Sequence, residues 1–268
     1  MQLKDKIILI TGAARGIGRA TAVELSQAGA DIIGVDLELN DLNETSHAVE
    51  HNGRTFHGYE CDVSDERAIR DLIQKVQEHN SGFDGLVNNA GVLPSGPFAE
   101  REFDVWRTTI DINLTGLMLL THTALPILLA RPEAQIVNIA SVAGKFGTEG
   151  VAAYAASKHG VVGFSSALRE ELRATQVGVS WLCPSMANTR LTTGVKEHFL
   201  TPMIQPEDVA KAVRRAIETN AIEVHVPGWV RLVTTVTPAL SPRFARWIAR
   251  TTKASQSWLD ARRDIEIE

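Results

Sequence analysis

Short runs of β-branched and apolar residues alternate along this chain with longer amphipathic stretches, and the alternation holds from residue 6 to residue 226. The short runs read as strands at 6–11, 31–36, 55–59, 85–88, 135–140, 178–183 and 223–226. Helical spacing fills 16–28, 41–51, 65–79, 105–129, 151–174 and 206–219. Ser64 or Asp65 can cap the third helix, and Pro206 suits a first helical turn through its fixed φ and missing donor. Strands joined through helices pair in parallel by right-handed crossovers, which cover both faces of the sheet. The expectation is one doubly wound α/β domain over 1–226, with 227–268 as a C-terminal extension of it.

The first strand runs directly into Thr11-Gly12-Ala13-Ala14-Arg15-Gly16-Ile17-Gly18. Glycines belong where the backbone turns sharply and must come close to a pyrophosphate, an approach that a Cβ obstructs. The helix starting near Gly16 offers free N–H groups and the positive end of its dipole to that anion. A tight turn alone would use the same glycines, but the order strand, loop, amphipathic helix is that of a dinucleotide site. Asp36 ends the second strand, where its carboxylate can accept both adenosine ribose hydroxyls and repel a 2′-phosphate. Arg15 pulls toward the phosphorylated cofactor. Asp36 stands where the extra phosphate would go, so NAD is expected over NADP.

Tyr154 and Lys158 stand at i and i+4 on the sixth helix and therefore share a face. A free phenol titrates near ~10 and is a poor proton acceptor at neutral pH. A nearby ammonium favours the phenolate. Tyr154 could then take the hydroxyl proton of an alcohol, or return it to a ketone, while Lys158 could also reach the nicotinamide ribose. Ser141 follows the fifth strand at its carboxyl end, where ligands of open parallel sheets lie, and its hydroxyl can steady a developing charge. Singly, each of these residues could be an ordinary surface or loop position.

The spacing Gly12-x-x-x-Gly16-x-Gly18, with Ser141, Tyr154 and Lys158 in this order, resembles the single-domain short-chain dehydrogenase/reductase family. The resemblance covers roughly residues 5–226 and implies a Rossmann fold with strand order 3-2-1-4-5-6-7. Cys61-Asp62-Val63 matches the family's Asp-Val pair beside the adenine, and Asn88-Asn89-Ala90-Gly91 matches its Asn-Asn-Ala-Gly segment. By the same resemblance, Asn113 would hold a water that links to the lysine, and Pro184 and Thr189 would border the nicotinamide. Ser185 departs from the family glycine, which puts the backbone geometry there in question. The family also implies a homodimer or homotetramer paired through the helices at 105–129 and 151–174.

The remaining features shape the expected substrate and setting. Leu93, Pro94, Val142, Phe146, Met186, Leu191, Thr192 and Phe199 occupy loops near the site and favour a lipophilic secondary alcohol or ketone, such as a steroid, retinoid or aliphatic type. Residues 185–205 would form a cover over the cofactor. A serine hydrolase is disfavoured because Ser141 lacks a G-x-S-x-G elbow, and a metal enzyme because no H-E-x-x-H or cysteine pair at ligand spacing occurs. A fold that binds NAD as a sensor or scaffold without turnover is the alternative. The formal charge of −5 is not that of a nucleic-acid-binding domain, and the two cysteines, Cys61 and Cys183, point to a reducing, cytoplasmic setting. No run approaches 18 unbroken apolar residues. The tail, however, has Trp229, Trp247 and Trp258 among Arg231, Arg243, Arg246, Arg250 and Lys253 with no acidic residue from 224 to 259. Peripheral membrane contact through 229–250, packing over the cleft and contact with another subunit all fit that pattern.

Overall fold

In the computed structural model, residues 1–80, 82–192, 203–232, 234 and 241 are described. Seven strands form one sheet: β1 (Ile7–Thr11), β2 (Asp31–Asp36), β3 (Phe56–Glu60), β4 (Gly85–Asn88), β5 (Ala134–Ile139), β6 (Val177–Pro184) and β7 (Glu223–Val226). Their order is β3-β2-β1-β4-β5-β6-β7, with every pairing parallel. This is the doubly wound Rossmann arrangement. The order reverses between β1 and β4, so a crevice opens beyond the carboxyl ends of those two strands.

The helices are α1 (Gly16–Gln27), α2 (Asn43–His51), α3 (Glu66–Asn80), α4 (Phe103–Ile110), α5 (Leu117–Leu129), α6 (Ala152–Glu171) and α7 (Pro206–Thr219). Side chains alternate across each strand, and β1 shows the consequence. Ile8 and Ile10 join a buried cluster with Leu25 of α1 and Val213 and Ile217 of α7. Leu9, between them, joins the opposite cluster with Leu72 of α3 and Leu120 and Leu128 of α5. Both faces of the sheet are thereby covered, which explains why its central strands are apolar throughout.

Several local expectations are refined. Asp65, not Ser64, caps α3: its Oδ1 accepts the Arg67 N–H at 2.7 Å. A 3-10 turn at Leu39–Leu42 delays the start of α2. Pro206 does open α7, beside a capping box in which Gln205 and Asp208 satisfy each other's backbone N–H groups. The stretch at 105–129 is not one regular helix. Between α4 and α5 it widens into a π-helical segment, Asp111–Gly116. The path Phe103–Leu129 is also apolar and long enough, by length and composition, to cross a membrane, with a mean hydropathy of 1.6. Half of that window is buried, however, and its inner side packs on β4, β5 and α3 as a core helix does. Phe199, Trp247 and Trp258, the 193–202 part of the expected cover, and most of the basic tail lie outside the described residues.

Candidate active site

The glycine loop closes the crevice from the β1 side. Gly12 and Gly16 have φ of +65° and +54°, which only glycine adopts without strain. At Gly18 the constraint is contact: an added Cβ would lie 1.8 Å from the Gly12 carbonyl oxygen. Arg15 bridges to Asp41 at 3.9 Å, and Ile17 is half-buried on the first turn of α1. Asp36 is buried at the end of β2, where its Oδ2 accepts the Ala14 N–H at 2.8 Å and its Oδ1 accepts the Leu37 N–H at 2.9 Å. The carboxylate therefore sits immediately under the loop. Gly12, Asp36, Leu37, Asp62, Val63, Ala90 and Gly91 line a solvent-open cleft. Its glycine backbone and acidic corner, close to the loop that leads into α1, fit the adenosine and pyrophosphate of a nicotinamide dinucleotide.

The Asn88–Gly91 segment works chiefly as a strut. Asn88 donates to Asn138 Oδ1 at 2.8 Å and to Thr121 Oγ1 at 3.0 Å, tying β4 to β5 and α5. Asn89 Nδ2 donates to the Thr11 carbonyl at 2.9 Å, and Thr11 Oγ1 accepts the N–H groups of Asn89 and Ala90, each at 3.0 Å. Thr11 is thus a positioning residue that its place in an apolar strand did not disclose. Asp62 is exposed and its Oδ1 is engaged by the Ser64 N–H and hydroxyl at 2.8 and 2.7 Å. That engagement shapes the turn as well as the cleft wall.

The structure brings Asn113, Tyr154 and Lys158 together, and Ser141 follows two residues after Ile139, whose carbonyl Lys158 meets. Lys158 is buried, donates to the Ile139 carbonyl at 2.8 Å and lies 5.8 Å from the centroid of the Tyr154 ring. Burial lowers its pKa to about 8. No carboxylate lies within ion-pair distance of it among the described residues. Asn113 sits in the widened π segment and brackets Val92, accepting its N–H at 2.8 Å and donating to its carbonyl at 2.9 Å. Its Nδ2 also reaches Ser157 Oγ at 3.2 Å, and Ser157 donates to the Tyr154 carbonyl at 2.7 Å. Single-turn π insertions are common where a side chain must be re-aimed at a functional site. Ser141 caps a 3-10 turn at Val142–Gly144, its Oγ accepting the Ala143 N–H at 3.1 Å. Gly144 presses on α6, and a Cβ there would lie 2.6 Å from the Lys158 carbonyl oxygen.

Around this centre, Pro184 ends β6 and the Ser185 N–H donates to the Val226 carbonyl at 2.8 Å, prolonging the ladder. Among the described non-glycine residues only Asp5 and Asn220 have positive φ, so Ser185 needs none of the backbone freedom of glycine. The Thr189 N–H donates to the Ala187 carbonyl at 2.9 Å. Thr192 is turned inward, donating to Ala187 O at 2.6 Å, so its hydroxyl closes the 187–192 turn. Leu93, Pro94 and Met186 are buried, and Val142, Phe146 and Leu191 are half-buried.

Comparison with known proteins agrees with this geometry. A family model described as short chain dehydrogenase matches residues 6–199. The chain is 31% identical to a 3-oxoacyl-[acyl-carrier-protein] reductase of Thermotoga maritima, over 80% of this chain and 90% of that protein. It is 32% identical to estradiol 17-beta-dehydrogenase 11 of Rattus norvegicus, over 89% of this chain and 81% of that protein. Among solved structures, carveol dehydrogenase from Mycobacterium avium, in complex with NAD, superimposes with a TM-score of 0.77 at 28% identity, covering 84% of this chain and 97% of the other.

Proposed function

Since the chain belongs to the short-chain dehydrogenase/reductase family and is an oxidoreductase of that fold, we propose that it interconverts a lipophilic secondary alcohol and its ketone with NAD. The observation that carries this reading is the buried Lys158 ammonium beside the Tyr154 ring, held by a backbone carbonyl rather than by a carboxylate. A buried cation stabilises an adjacent phenolate strongly because little solvent screens it.

The glycine loop, Asp36 and the Ala90–Gly91 turn would hold the dinucleotide, with Pro184 and Thr189 beside its nicotinamide end. When bound, the cofactor supplies the hydride acceptor for an alcohol or the hydride donor for a ketone. Tyr154 removes the alcohol proton or protonates the ketone oxygen. Lys158 keeps that exchange near neutral pH, and Ser141 donates to the substrate oxygen as charge grows on it. Asn113, fixed through both polar groups of Val92, holds the widened helix in register with Ser157 and α6. Asp36 supports NAD over NADP, since a 2′-phosphate would have to approach a buried carboxylate.

For the substrate, support comes from the apolar side chains on the loops after β4, β5 and β6. Two similar proteins are also named for estradiol and carveol, both lipophilic secondary alcohols. Exposed Met118 and Leu129 on α5 support pairing of two chains through that helix. Trp229 and Leu232, 48% and 63% exposed beside Arg231, support contact of the tail with a lipid surface. The test is NADH formation across steroids, retinoids and aliphatic secondary alcohols, with Tyr154→Phe as control. Turnover abolished by that substitution is expected. Clear NAD binding with wild type and variant equally inactive across the panel would replace this reading with that of a sensor.

A further inference from the structure

The turn that carries Ser141 is anchored at a second point, far from the crevice. Lys145 follows the Val142–Gly144 turn, and its Nζ donates to Glu223 Oε2 at 2.5 Å. Glu223 opens β7, two strands away from the β5 end that bears Ser141. The contact therefore spans β6. Glu223 is also fixed from other directions: Trp181 Nε1 donates to Oε2 at 2.8 Å, and His225 Nε2 lies 2.7 Å from Oε1. Trp181 pairs with Glu223 and Cys183 with His225 in the β6–β7 register, so the four side chains share one face of the sheet. Lys145 and Glu223 side chains are each 16% exposed, and that of His225 only 1%. Burial alone would raise the Glu223 carboxyl, but the hydrogen bonds from His225, Lys145 and Trp181 outweigh it and hold the group at about 2.

We infer that Glu223 and Lys145 form a tether that sets the position of the Ser141 turn, making both of them positioning residues for the reaction proposed above. The turn is gripped between two supports: Gly144 against the α6 backbone at Lys158, and Lys145 against the last strand. Without the second support, the 141–151 segment pivots about Gly144, and Ser141, at its start, loses its placement relative to Tyr154 on α6. A misplacement of this kind costs turnover without removing any group that touches substrate. Because the pair is largely buried, losing one partner leaves the other charge uncompensated, whereas losing both does not.

This inference rests on the assignment of Ser141 to the site, so its test reads position as well as rate. Glu223→Gln, Lys145→Met, Lys145→Arg and the Glu223→Gln/Lys145→Met double variant are compared with wild type. The measurements are steady-state kinetics and amide hydrogen exchange over 141–151. Each single neutralising variant should lower kcat about tenfold and leave the KM for NAD within about twofold. The double variant should be no worse than either single one, Lys145→Arg should recover most of the rate, and exchange over 141–151 should quicken in both single variants. Unchanged exchange over 141–151, or losses in kcat that multiply in the double variant, would overturn the tether. Absence of any turnover by wild type counts against the dehydrogenase reading instead, and the exchange data then decide the tether alone.

Discussion

Lys158 Nζ lies 5.8 Å from the centroid of the Tyr154 ring while donating to the Ile139 carbonyl at 2.8 Å. One end of the ammonium is thus tied to the sheet and its charge is presented to the phenol. Burial lowers the pKa of Lys158 to about 8, so the ammonium that favours the Tyr154 phenolate is present below that pH and lost above it. Alcohol oxidation, which needs the phenolate, should therefore lose this support and decline as pH rises through about 8. In Lys158→Met that decline should disappear. Profiles of kcat/KM for alcohol oxidation measure this, and a decline that stays near 8 in the variant would separate it from Lys158.

The same burial has a cost in stability. The folded-state pKa of Lys158 is lowered from 10.5 to about 8, so the unfolded chain binds the proton more tightly. The penalty is fully present below about 8 and is relieved as pH rises toward 10.5. Lys158→Met should therefore raise the Tm at pH 7 by several degrees, reflecting roughly 3 kcal/mol, while slowing turnover. The gain should shrink at pH 10. Calorimetry at the two pH values checks both sign and trend.

Asp36 is held by the Ala14 and Leu37 N–H groups directly under the glycine loop. NADH should accordingly bind at least about tenfold more tightly than NADPH, a difference of 1.4 kcal/mol. Asp36→Ala should narrow that ratio to about threefold or less, chiefly by improving NADPH binding, because the repelling charge is gone. Fluorescence titration of the two cofactors against wild type and variant provides the comparison.

Gly18 and Gly163 make a matched pair of helical glycines. A Cβ at Gly18 meets the Gly12 carbonyl oxygen at 1.8 Å, whereas one at exposed Gly163, inside α6, meets nothing within 4 Å. Gly18→Ala should cost about 1–3 kcal/mol and at least tenfold in cofactor affinity, because the loop must move away from α1. Gly163→Ala should instead stabilise the fold by about 0.5–1 kcal/mol without affecting binding. Chemical denaturation with cofactor titration distinguishes them.

The parts of the molecule that follow local rules were legible in the chain itself. Strand and helix order is written in hydrophobic period, and the glycine loop and the Tyr154–Lys158 spacing carry their chemistry in adjacent residues. What escaped depends on contacts between distant segments. The π widening at Asp111–Gly116 leaves the apolar pattern of 105–129 intact, so periodicity alone could not reveal it. Its causes are tertiary: Asn113 brackets Val92, and Gly116 lies where a Cβ would sit 2.1 Å from the Val63 carbonyl oxygen. Lys145 and Glu223 likewise meet only because β5, β6 and β7 are neighbours. The sole local trace was Glu223 and His225 alternating on one face of a short strand. Thr192 reads as a loop residue near the site, and only its bond to Ala187 shows that it closes a turn.

The proposed reaction is hydride transfer from a secondary carbinol with Tyr154 as the proton partner. It is tested most directly with a lipophilic secondary alcohol deuterated at the carbinol carbon, by analysing the nicotinamide product by mass spectrometry. Reduced cofactor carrying the deuterium is expected with wild type, and formation at least about a hundredfold slower with Tyr154→Phe. Reduced cofactor without the label, or labelled product formed equally fast by Tyr154→Phe, would contradict it.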